Sequence, residues 1–92
     1  MTTSKSPLRK IKAQADNMAR ILKAIERGEK VAADPAGKIA AALARGFVKF
    51  CIVMDDKIIT VEMPTSTIRE TSEAGISAYI VNYIRGAHPS IQ

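Results

Sequence analysis

Two residue types are best suited to proton transfer and nucleophilic attack near neutral pH, and the chain has one of each, His88 and Cys51. A general base must be held against its substrate and oriented by a second group. His88 follows Gly86-Ala87 and precedes Pro89, in the tail expected beyond the last helix cap, and is a poor candidate for that role. Cys51 lies in an apolar, β-branched run two residues after Lys49, with no histidine nearby to lower its pKa. It reads as a small, half-buried packing residue rather than a nucleophile.

Other patterns fail on spacing. One Cys and one His leave the four ligands of a zinc site unfilled. Asp55-Asp56 has the carboxylates for a hard cation, but adjacent acids between two strands are solvated turn residues. Gly37-Lys38 resembles the end of a phosphate loop, yet the preceding glycine is Gly28 and Ile39 stands where a magnesium-binding Ser or Thr belongs. Thr65-Ser66-Thr67 could accept a phosphate, but a capping role already accounts for it. No catalytic, cofactor-binding or metal-ligating residue is assigned, no cofactor or small-molecule substrate is implied, and the chain reads as non-enzymatic.

Charge is unevenly spread. Residues 1–46 hold ten Lys and Arg against four Asp and Glu, whereas residues 47–92 hold four against five. The net charge of +5 therefore belongs to the first half. Arg9, Lys10, Arg20, Lys23 and Arg27 lie off the apolar seam of the first helical segment and are expected to form a solvated basic face. Arg9, Lys10 and Lys12 also oppose that helix's dipole, at about 0.3–1 kcal/mol each when poorly screened. Such a face suits phosphate contacts with nucleic acid, salt-sensitive and weakly specific. It equally suits simple solubility.

The elements that carry these residues can be read in order. Ser6-Pro7 is a cap followed by proline at the first helical position. Leu8, Ile11, Ala15, Met18, Leu22 and Ile25 then follow at spacings of three and four, an amphipathic helix that Gly28 ends. Asp34-Pro35 repeats the cap-plus-proline signal before a short second helix that ends near Arg45-Gly46.

Phe47–Met54 and Ile58–Met63 are rich in β-branched residues and read as two strands. A two-residue turn at Asp55-Asp56 sets Ile52 opposite Ile59, Phe50 opposite Val61 and Val48 opposite Met63, an all-apolar inner face. It also sets Lys49 opposite Glu62 and Cys51 opposite Thr60 on the outer face. Pro64 ends the second strand. Thr67-Ile68-Arg69-Glu70 has the form of a capping box for one last helix. Its apolar face is Ile68, Ile76, Tyr79, Ile80, Tyr83 and Ile84, and Gly86 is its expected left-handed cap.

The expected fold is α+β in the order α-α-β-β-α, a two-stranded antiparallel hairpin packed against helices. A single domain covers residues 6–86, with a disordered N-terminus at 1–5 and a flexible tail at 87–92. With 47% apolar residues, no Trp and four aromatics, the core must be aliphatic and thin. The lone cysteine fits a reducing, cytoplasmic setting, and no apolar run approaches the length of a membrane span.

Two strands alone are marginal, both are edges, and the outer face carries Cys51, Val53 and Ile58. Either the helices cover that face or a second copy of the chain does, and edge pairing would give a four-stranded sheet across a dimer. The expectation is a small interaction protein acting as a homodimer. The alternative is a basic nucleic-acid-binding protein using the outer face of the first helix.

Overall fold

The computed structural model describes residues 7–54 and 57–87. Six elements follow in the order α-α-β-β-α-α: α1 (Pro7–Glu26), α2 (Lys38–Arg45), β1 (Phe47–Val53), β2 (Ile58–Pro64), α3 (Thr65–Glu70) and α4 (Glu73–Ala87). The α+β class stands, with one more helix than the sequence suggests. The expectations for Ser6, the 1–5 segment, the Asp55-Asp56 turn and His88 concern residues outside those described.

Helix α1 ends as expected. Gly28 takes φ 91°, a left-handed geometry that a Cβ would strain. Its N–H donates to the Ile25 carbonyl at 2.9 Å, and the Glu29 N–H to that of Ala24 at 3.0 Å. This pair is the Schellman arrangement, which satisfies two carbonyls that the helix end leaves over. The buried stripe is wider than the seam: Ala19, Ile21 and Ala24 join Ile11, Ala15, Leu22 and Ile25, while Leu8 and Met18 are half-buried.

The start of α2 corrects the sequence reading. Pro35 is in a turn, and the helix begins at Lys38 behind Gly37. Asp34 still caps it from a distance, its carboxylate accepting the N–H groups of Ile39 at 3.1 Å and Ala40 at 3.2 Å. A short carboxylate next to a turn can reach the orphan donors without being the adjacent residue. At the far end Gly46 (φ 118°) reverses the chain directly into β1.

The hairpin has the predicted register: Val48↔Met63, Lys49↔Glu62, Phe50↔Val61, Cys51↔Thr60 and Ile52↔Ile59. Val48, Ile52, Ile59, Val61 and Met63 are buried and Phe50 is half-buried. They meet Ile11, Leu22, Leu43, Ile68, Ile76 and Ile80 in one aliphatic core. Thr65 ties three elements together at the base of the hairpin. Its N–H donates to the Gly46 carbonyl at 2.9 Å and its buried hydroxyl to the Leu43 carbonyl at 2.8 Å, closing the end of α2.

The C-terminal region departs most from expectation. The predicted single helix is two. Thr67 lies inside α3, which follows Pro64 directly, so the Thr67–Glu70 capping box does not form. Thr71 is extended (φ −115°, ψ 141°), and Ser72 starts α4, its hydroxyl accepting the Gly75 N–H at 3.1 Å. The capping oxygen is thus five residues later than predicted, because a serine hydroxyl competes as well as a threonine's for orphan donors. Helix α4 runs through Gly86 to Ala87, and Gly86 does not adopt positive φ. Tyr83, expected on the apolar face, is 38% exposed.

Candidate functional site

The residues singled out as a basic face do not act as one set. Lys23 turns into the fold: its side chain is 16% exposed, its ammonium donates to the Ile68 carbonyl at 3.1 Å, and Glu26 lies 3.6 Å away. It holds α3 against α1, so its place on a solvated face is corrected. Lys10 is half-buried. Arg20 hydrogen-bonds Asn17, and Arg27 pairs with Glu29 at 2.9 Å. These two arginines line a groove of about 510 Å³ between α1 and the connector to α2. Arg9 is eleven residues before Arg20, about 16 Å along the axis at ~1.5 Å per residue.

On the same helix, one oxygen of Asp16 accepts from Lys12 at 2.7 Å and also from the Ser77 hydroxyl of α4. The Lys12 hydrogen bond chiefly, then that of Ser77, holds the Asp16 carboxyl below its ordinary pKa. Asp16 also borders an open groove between α1 and α4, about 700 Å³, whose walls include Leu8, Ala13 and Val81. Its lining is mainly apolar. Among the described residues, no three His, Cys, Asp or Glu side chains stand close enough to hold a metal ion.

The hairpin's outer face carries three of the exposed large apolar side chains among the described residues. Phe47 is 49% exposed, Val53 56% and Ile58 67%; Cys51 is a free, exposed thiol rather than half-buried. Lys49 and Glu62 lie between them, 3.6 Å apart, as the register predicts. Helices α1, α3 and α4 all pack on the opposite face, so none shields these side chains.

The backbone edges are not equivalent. The Met54 N–H donates to the Lys57 carbonyl and the Thr65 N–H to that of Gly46, each at 2.9 Å. Antiparallel ladders alternate, so the even residues of β1 bond across the hairpin, and Lys49, Cys51 and Val53 point N–H and C=O outward. On β2 the outward residues are Ile58, Thr60 and Glu62.

Gln14 closes the β1 edge at its tip. Its Nε2 donates to the Val53 carbonyl at 2.6 Å, and the Val53 N–H donates to its Oε1 at 2.8 Å. A helical side chain thereby stands in for one residue of a neighbouring strand. Near the base, Ala42 and Arg45 of α2 flank Phe47 and Lys49. Among the described residues, nothing occupies the β2 edge.

Sequence reasoning placed Cys51, Val53 and Ile58 on the outer face but missed Gln14. A signal was available: Gln14 is three residues after Ile11 and four before Met18, a polar residue on the apolar stripe. Thr60 as an edge donor and acceptor was not visible, because that role belongs to the backbone.

No helix among the described residues is long and apolar enough to cross a membrane. The chain matches no family model, no curated protein and no solved structure.

Proposed function

We propose that this is a small interaction protein that works as a homodimer joined through its hairpin. The observation that carries the reading is the open β2 edge: the backbone groups of Ile58, Thr60 and Glu62 point outward with no partner among the described residues, beside the more than half exposed Ile58 side chain. An isolated two-stranded sheet is marginal, and an unprotected edge is a ready template for another strand. A second copy supplies that strand without any further partner, and two-fold pairing is the commonest form of self-assembly. The core is made of side chains from all six elements, so the dimer adds a surface to a formed fold rather than creating it.

The nucleic-acid alternative has less support. Lys23 is withdrawn into the fold, and Arg20 and Arg27 hold neighbours on their own surface. Sedimentation equilibrium over a wide concentration range tests the dimer. A reversible monomer–dimer equilibrium that Ile58→Glu moves toward monomer is the expected result. A strict monomer at the highest concentration overturns the reading.

A further inference from the structure

We infer that the second copy docks along β2, antiparallel, with Thr60 opposite Thr60, so that the two hairpins form one sheet in the order β1-β2-β2-β1. This rests on the homodimer reading and specifies its surface. Three observations select it.

The first is access. On β1 the Val53 backbone is taken by Gln14, and α2 flanks the strand's base. On β2 the N–H and C=O groups of Ile58, Thr60 and Glu62 all face outward with no partner among the described residues. Pro64, the last residue of β2, has no N–H to offer, so the usable edge is centred on Thr60.

The second is register and charge. Only the Thr60-centred pairing uses all three outward residues, with Ile58 of each copy facing Glu62 of the other. Centring on Glu62 would oppose two carboxylates directly, which is destabilising. In the favoured register, the Glu62 of one copy lies beside the other copy's Ile58, and Lys49 stays paired with Glu62 on the solvent side. Stacking the two outer faces instead would bury that Lys49–Glu62 pair at the centre of the interface, where the desolvation of both charges counts against it.

The third is the flank of α4. Ser77 and Val81 face α1, through the Asp16 hydrogen bond and the shared groove. Tyr79 and Tyr83 lie more than 100° round the helix from them, by the helical repeat. Helix α1 reaches the sheet at the β1 edge and α4 packs on β2, so the side of α4 away from α1 is the side of the open edge. There the two rings stack at 6.3 Å, with Tyr83 left 38% exposed. The pairing brings this half-wet aromatic pair toward its counterpart beneath the extended sheet. It also leaves the two Gln14-guarded β1 strands as the outer edges, which stops growth at two copies.

The test is disulfide trapping with oxidised glutathione as the oxidant. Across a hydrogen-bonded antiparallel pair the Cα atoms are about 5.5 Å apart, within disulfide range. Thr60→Cys in a Cys51→Ser background is therefore expected to convert most of the protein to covalent dimer. Cys51 of the unaltered chain is expected to trap little, since three strand spacings, about 14 Å, separate the two thiols. Circular dichroism confirms that both variants are folded.

A dimer in sedimentation that traps through Cys51 and not through position 60 overturns the β2 edge while leaving the homodimer standing. A strict monomer overturns both. The chain has two Tyr and no Trp, so its emission reports Tyr79 and Tyr83 alone. Acrylamide quenching of that emission is expected to fall as the dimer forms. Quenching that does not change overturns the place given to the aromatic pair.

Discussion

Asp16 shows how a single residue couples two helices to pH. Its carboxylate takes hydrogen bonds from Lys12 and from Ser77, so ionisation is favoured in the fold. A carboxyl whose pKa is lower in the folded than in the unfolded chain contributes stability above the unfolded value. That contribution is lost as pH falls through the folded one. Asp16→Asn is expected to lower the melting temperature at neutral pH and to converge on the parent below the carboxylate range. Because the pair is exposed, the difference should be small and shrink further in salt. Parallel melting curves at every pH would show that Asp16 is not the coupled group. Lys12–Asp16 spacing was readable from the sequence; Ser77 was not, since nothing local links residues 61 apart.

At the scale of elements, the break between α3 and α4 is the feature that local pattern reading misplaced. Thr67-x-x-Glu70 and Ser72-x-x-Gly75 both begin with a hydroxyl able to cap, and the fold uses the second. Gly75 makes the choice workable, because a Cβ there would stand 2.4 Å from Thr71 Cγ2. Two effects oppose each other in Gly75→Ala. Helix propensity favours alanine by about 1 kcal/mol, whereas the overlap costs about 1–3 kcal/mol. The single variant is expected to be destabilised in denaturant unfolding. In a Thr71→Ala background the same change should become neutral or stabilising. The same sign in both backgrounds would remove Thr71 as the cause.

At the scale of the molecule, helices α1, α3 and α4 cover one face of a two-stranded sheet and leave the other bare. Gln14 then protects one edge by mimicking a strand. Gln14→Ala removes two hydrogen bonds worth about 0.5–1.5 kcal/mol each at most, and exposure puts them at the low end. Its larger expected effect is on assembly: with the Val53 edge open, species beyond the dimer should accumulate with concentration in sedimentation velocity. An unchanged distribution would show that Gln14 is not the guard.

Much was decided by sequence alone. Period-two alternation and the two-residue turn length fixed which hairpin residues oppose which, because a slip of one would invert the apolar face. Helical spacing and Gly28 likewise placed α1 and its end. What needed the tertiary structure were the contacts between distant residues of comparable local fitness. Competition among Thr67 and Ser72 as caps, the withdrawal of Lys23 to the Ile68 carbonyl, and the reach of Gln14 to Val53 each depend on a partner brought near only by packing. The difference between the two edges of the hairpin is of this kind. In the sequence both strands are edges of equal standing; the helices docked on them leave one guarded and the other open.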